Sequence, residues 1–325
     1  GSKGLSNPSN DKATVALATP VLACKYSDGF SGCPAADEWR KSELTKEGKV
    51  DATLVNFLDD SDEKVRYLGA IALSQNGKAY RTDTALATRL VDAADKEQSK
   101  AVAEALGNVV GNIDLKLTGL AVRVKKMLAE HKNPDFREAL VSSTLFDNRD
   151  VEGIYELFVK LARSDKLPAV RKAASSAFWT GTPNGKSEEV CKLWLELAGD
   201  ADGDLAGHSA YHCGFNPNSA CAPQYDALLN TIERQAKAGV IKSSFTASAL
   251  SYMYEQKKMS DAQKKRSIAI AKEVVKNNKN DASTRGSALE FIGKRDPQGK
   301  AFAAQYLNDS EFFVKNAAKR VKEGK

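Results

Sequence analysis

Two of the chain's three histidines and two of its five cysteines fall in one window, AGHSAYHCGFNPNSAC, residues 206–221. On a helix His208 and His212 stand at i and i+4, on one face. That spacing suits two ligands of zinc or another transition metal when one or two further ligands arrive. Cys213 and Cys221 offer thiolates, Asp202 and Asp204 carboxylates, although cysteine ligands would have to stay reduced and no His-Glu-x-x-His occurs. The same residues also read as a pinned corner, in which a Cys213–Cys221 disulfide closes the loop around Asn216, Pro217 and Asn218 and both histidines hydrogen-bond inward. A third reading takes Tyr211, with Tyr252 and Tyr254 further along, as aromatic anchors of a recognition surface that His208 and His212 share.

The remaining cysteines bear on this choice. CKYSDGFSGC brings Cys24 and Cys33 to the ends of a short Gly- and Ser-containing loop, a second candidate disulfide. Cys191, in EEVCKLWLEL, is left as a buried thiol or as an alternative partner of Cys213 or Cys221, because connectivity does not follow from spacing. No Cys-x-x-Cys signals a zinc ribbon or a redox motif. Two disulfides would place the chain in an oxidising compartment, the periplasm or a cell surface; free thiols would place it in the cytoplasm. Gly-x-Gly-x-x-Gly, the phosphate-binding Gly-x-x-x-x-Gly-Lys-Ser/Thr and Gly-x-Ser-x-Gly are absent, so nucleotide and serine-hydrolase chemistry have no foothold. No catalytic residue and no cofactor are expected.

The elements that must position these groups are helices. The 325 residues are 42% hydrophobic but only 7% aromatic, and Ala, Leu, Lys, Glu and Asp abound, which favours an all-α protein. The net charge of +6 is uneven: residues 226–325 hold 20 Lys and Arg against 11 Asp and Glu. Such a basic third suits an acidic partner, anionic lipid or nucleic acid, or a solvated lysine-rich surface. Residues 1–12 read as a cloning remnant, Gly1 and Ser2, followed by a polar tether. Residues 13–50 read as a disulfide-closed N-terminal segment. Its run ATVALATPVLAC ends in a faintly lipobox-like VLAC, the basis for expecting a lipid tether ahead of it, yet it packs better as a short apolar segment against the first helices.

From residue 51 onward the pattern repeats. DEKVRYLGAIAL, NPDFREALVSSTL, LPAVRKAASSAF, DASTRGSALEFI and SEFFVKNAAKRV each carry an apolar residue or Thr followed by a base: Arg66, Arg137, Arg171, Arg285 and Lys315. Successive bases lie 71, 34, 114 and 30 residues apart, close to whole multiples of a period of about 35. Each unit also has a preceding helix with apolar residues at three- and four-residue steps, as in VEGIYELFVKLARS and SEEVCKLWLELAGD. Asp62 with Arg66, and Asp281 with Arg285, stand four apart near helix starts, where the acid can cap and the pair can bridge.

LVNFLDDSDEKVRYLGAIALSQNG, residues 54–77, closely resembles the HEAT repeat, whose first helix ends in L..LL.D and whose second opens D..VR..AA.AL. The resemblance spans residues 51–325. It implies a right-handed α-solenoid of about eight antiparallel helix pairs, with second helices on the concave face and the recurring acid and base stabilising contacts between repeats. Among enzymes of this architecture, deoxyhypusine hydroxylases need repeated His-Glu pairs that this chain lacks. A HEAT-like alkylpurine-DNA glycosylase would use tryptophans and acids, here Trp179, Trp194, Asp200 or Asp202. The expectation is a non-enzymatic protein- or peptide-binding scaffold of a bacterial cell envelope, with a nucleic-acid-binding or DNA-repair protein as the alternative.

Overall fold

A computed structural model of the chain describes residues 4–42, 44 and 51–325. Gly1, Ser2 and the stretch 45–50 at the end of the expected N-terminal segment lie outside the described residues. Among those described there are nineteen α-helices and no strand. The chain divides into two compact units, Gly1–Gly181 and Thr182–Lys325, where the sequence suggested one array beginning at 51.

The first unit contains α1 (Lys12–Ala18), α2 (Pro34–Lys41), α3 (Ala52–Phe57), α4 (Glu63–Gln75), α5 (Thr84–Lys96), α6 (Lys100–Gly111), α7 (Leu115–Thr118), α8 (Ala121–Glu130), α9 (Pro134–Asn148), α10 (Ile154–Ser164) and α11 (Pro168–Gly181). Neighbours pack in pairs, α3 with α4, α5 with α6, α8 with α9 and α10 with α11. The second members also pack on one another in series, α4 on α6, α6 on α9 and α9 on α11. The second unit holds α12 (Ser187–Ala198), α13 (Gly203–Gly214), α14 (Tyr225–Ala238), α15 (Ser244–Tyr254), α16 (Asp261–Lys276), α17 (Ala282–Arg295), α18 (Gly299–Ala304) and α19 (Phe312–Glu323). There α13, α15, α17 and α19 form the matching series.

Side chains that accept from the first free backbone N–H groups start most second helices: Asp62 for α4, Asn133 for α9, Asp202 for α13, Ser243 for α15 and Asp281 for α17. Each satisfies a donor that the helix itself cannot. Small residues set the spacing of the series. A Cβ at Gly107 of α6 would meet the Phe136 carbonyl of α9 at 2.6 Å, and one at Gly286 of α17 the Phe313 carbonyl of α19 at 2.8 Å. Large apolar side chains from both members of each pair fill the space between them, among them Leu54, Leu68, Leu90, Phe136, Phe158 and Phe178 in the first unit and Trp194 in the second.

The recurring arginines work differently from the i,i+4 bridges expected of them. Asp62 and Asp281 cap their helices, but Arg66 and Arg285 reach past them into the next repeat. Arg66 pairs with Glu97 at 2.8 Å, Arg137 with Asp165 at 2.6 Å and Arg285 with Asp309 at 3.1 Å. The reason is geometric: a donor fork on the second helix lies beside the turn between the two helices of the following repeat, where a carboxylate also accepts from turn N–H groups. Glu97 takes Gln98 and Ser99, Asp165 takes Leu167, and Asp309 takes Glu311. The arginines simultaneously satisfy carbonyls at the end of the preceding helix, at Asp60, Ala129 and Val275. Arg171 does the same to Ala162 at 3.4 Å.

The N-terminal segment is not a tether where it is described. Leu5 N–H donates to Asp60, Asn10 accepts from Asn56, and Asp11 N–H donates to Thr53, which seats residues 4–12 on α3. Ala18 and Val21 are fully buried, and the Trp39 indole stacks on Phe57 while donating to the Leu68 carbonyl. A disulfide joins Cys24 to Cys33.

Candidate functional site

The chemically loaded window lies on α13 and in the segment before α14, and its neighbour is α15. A Cβ at Gly207 would meet the Ser243 side chain at 2.5 Å, so α13 approaches the start of α15 more closely than any other residue would permit. His208, Tyr211 and Phe215 follow one another at three and four residues along one face, and Phe245 and Tyr252 do so at seven on α15. The two rows meet.

Tyr211 sits at the centre. Its ring is 5.4 Å from Phe245, 5.7 Å from Phe215 and 5.7 Å from Tyr252, mostly edge-on. Phe215 stacks on Tyr252 at 4.3 Å, and His208 lies 4.1 Å from Phe245. Aromatic pairs at such separations are favourable beyond their buried area. Yet the cluster is not core: Tyr252 remains 42% exposed and Phe245 37%. Burial, with the neighbouring Tyr252 phenol, pushes the Tyr211 hydroxyl above its ordinary value. The sequence had pointed to Tyr211, Tyr252 and His208, and missed Phe215 and Phe245; their seven-residue echo of His208 and Tyr252 was the signal available.

Tyr254 does not join this group. Two residues beyond Tyr252 it points about 200° around the helix, packs edge-on against Phe291 of α17 and lies under Lys264 and Arg295. Arg295 is in turn paired with Glu255.

The two histidines part company as well. His208 is partly exposed; its Nδ1 lies 2.9 Å from the Asp204 carbonyl and 3.3 Å from the Asp204 carboxylate. His212 is buried against Trp194 of α12, ring centres 5.3 Å apart. Among the described residues no group of three or more His, Cys, Asp and Glu is placed to hold a metal ion. The ligands that might have completed one are committed elsewhere: Asp202 caps α13, and Cys221 is oxidised.

Burial, then the nearby His208, lowers the His212 imidazole to about 4 from an ordinary 6.5. Above 6.5 both folded and unfolded chains carry it neutral. As pH falls from 6.5 towards 4, the unfolded chain takes up a proton that the folded one refuses, so stability declines through that window. The full loss is roughly 3 kcal/mol. His212→Phe is expected to flatten this limb of the Tm–pH profile between neutrality and pH 4, relative to wild type. An unchanged slope would show that His212 is not held neutral.

The disulfide near the window is Cys191–Cys221, with Cα atoms 5.3 Å apart, and not the expected Cys213–Cys221. Cys213 lies on the last turn of α13 with its side chain turned into the core, fully buried, its Sγ 4.0 Å from the Cys191 carbonyl. Cys191 on α12 faces the returning segment instead. Burial raises the Cys213 thiol to about 12, so it stays protonated. Two disulfides suit an oxidising compartment. No helix among the described residues is long and apolar enough to cross a membrane.

Three of the residues considered for a glycosylase, Trp194, Asp200 and Asp202, are also otherwise engaged. Trp194 is 1% exposed, and Asp200 and Asp202 serve the turn that starts α13. Compared with known proteins, the chain matches no family model and no curated relative.

Proposed function

We propose that the chain is a non-enzymatic binding module built as a HEAT-like, right-handed α-solenoid of about eight helix pairs. It works in the periplasm or at the cell surface of a bacterium and holds a protein or peptide partner. The observation that carries this reading is the cluster of Tyr211, Phe215, Phe245 and Tyr252, in contact with one another yet open to solvent on two successive second helices. In a HEAT-like solenoid that position is the concave face. Rigid aromatic side chains that protrude from a packed base provide large contact area at low entropic cost, the usual character of binding hot spots.

The nucleic-acid alternative draws on the basic C-terminal third, where bases exceed acids by 9 (20 against 11), although several of its bases are held in ion pairs. Lys272 pairs with Asp296, Arg285 with Asp309, Arg295 with Glu255 and Arg320 with Glu290. Tyr252→Ala and Phe245→Ala are each expected to weaken partner binding by about 2 kcal/mol, roughly thirtyfold, while leaving Tm nearly unchanged. Titration calorimetry that shows unchanged affinity in both variants would remove the cluster from the interface.

A further inference from the structure

In the first unit a groove of about 580 Å³ opens between two consecutive inter-helix turns, the one joining α8 to α9 and the one joining α10 to α11. Clefts that take small ligands span about 300–1,000 Å³. Its floor is the Arg137–Asp165 pair, whose charges are closed on each other. His131 on its rim is also spent: Nδ1 accepts the Asn133 N–H, and Nε2 lies 3.3 Å from the Ala94 carbonyl.

Three ammoniums remain. Lys132, Lys160 and Lys166 line the groove and are exposed, and among the described residues none of them has an ion-pair partner. Glu130 is the one uncommitted acid beside them. Between them runs an apolar strip that includes the half-buried Leu157 and the buried Leu161. A groove of the same kind two repeat steps earlier, lined by Arg66, Arg89, Asp59, Glu97 and Lys96 among others, pairs Arg66 with Glu97 and Arg89 with Asp59 and leaves a single lysine, Lys96, without an ion pair among the described residues. The groove therefore comes with the repeat, whereas the cluster of three unpaired lysines belongs to this position. Like charges around one concavity repel, and an anionic occupant relieves them.

We infer that this groove binds an acidic peptide segment, its carboxylates meeting Lys132, Lys160 and Lys166 while an intervening apolar side chain lies on Leu157 and Leu161. A nucleic acid fits less well: the aromatic ring at the rim, His131, packs against Phe136 at 4.2 Å with the rings tilted by 41°, so its packed face offers no platform to a base. The inference concerns the first unit alone and stands whether or not the aromatic cluster of the second unit has a partner.

The test is fluorescence anisotropy on the full chain at low salt with a short labelled peptide alternating glutamate and leucine, beside its lysine–leucine counterpart and an oligothymidylate. The expected result is saturable binding of the acidic peptide alone, weakened by salt and weakened about tenfold or more by Lys160→Glu/Lys166→Glu. The same pair replaced by serine should give a smaller loss with unchanged thermal unfolding, and Lys257→Glu/Lys258→Glu should have no effect. The proposal falls if the acidic peptide binds no better than the basic one, if the Lys160/Lys166 variants bind it as well as wild type, or if oligothymidylate binds as tightly through the same lysines.

Discussion

Replacing Arg137 with methionine is expected to destabilise the first unit by about 3–5 kcal/mol, the cost of leaving a buried carboxylate without its partner. The Arg137 and Asp165 side chains are only 9% and 5% exposed, and both guanidinium nitrogens lie 2.6 Å from carboxylate oxygens. The same guanidinium donates to the Ala129 carbonyl at the end of α8, so its loss strands an acceptor as well. Asp165→Asn should cost less, because an amide retains the cap on Leu167. A double-mutant cycle between the two positions should therefore return a large coupling energy. Arg123 provides the contrast. It contacts Asp92 and Asp95 at 2.7 Å but is 35% exposed, and Arg123→Met is expected to cost under about 1 kcal/mol. Urea unfolding of the three variants decides the matter. Equal small losses at Arg137 and Arg123 would mean that the inter-repeat pair contributes no more than a surface one.

The second large effect belongs to Cys191→Ser. The disulfide closes a loop with a sequence separation of 30, against 9 for Cys24–Cys33. By chain entropy its removal should lower stability by about 3–4 kcal/mol, and the shorter loop should matter less. The consequence extends to the proposed binding surface. Phe215 lies between the end of α13 and Cys221, and the bridge to α12 holds that segment in place while Phe215 stacks on Tyr252. Reduction is thus expected to loosen the aromatic cluster along with the fold. The pairing itself is checked by mass mapping after alkylation in denaturant. One alkylated residue, Cys213, with a Cys191–Cys221 linked peptide agrees with the structure. A Cys213–Cys221 peptide, or no loss of stability in Cys191→Ser, would contradict it.

These two cases also mark what could be read from the sequence. The helical pairs were legible because their apolar steps and capping residues act locally, over three or four residues: Asp62 and Asp281 announce helix starts whatever lies around them. The arginines were legible as a repeat, yet their partners were not. Glu97, Asp165 and Asp309 stand 31, 28 and 24 residues downstream, and only the approach of the next turn brings them near. Cysteine pairing failed for a related reason. A short loop between Cys213 and Cys221 makes encounter easy, but the rotation of α13 turns Cys213 inward and leaves Cys221 to Cys191. Within the candidate site, His208, Tyr211 and Tyr252 came from residue type and position in the repeat. Helical phase then separated them from His212, which faces Trp194, and from Tyr254, which faces Phe291.

The central claim is that the aromatic cluster on α13 and α15 recognises a peptide or protein, and its most direct test is peptide-display selection from a random library. Wild-type protein and the Phe245→Ser/Tyr252→Ser variant would be panned in parallel, after unfolding curves establish that both are folded. The account predicts a family of enriched peptides on wild type, lost from the variant, whose binding is blocked when a photo-crosslinker at position 252 captures one of them. Equal enrichment on both proteins, or crosslinks that form only at sites away from this cluster, would contradict it.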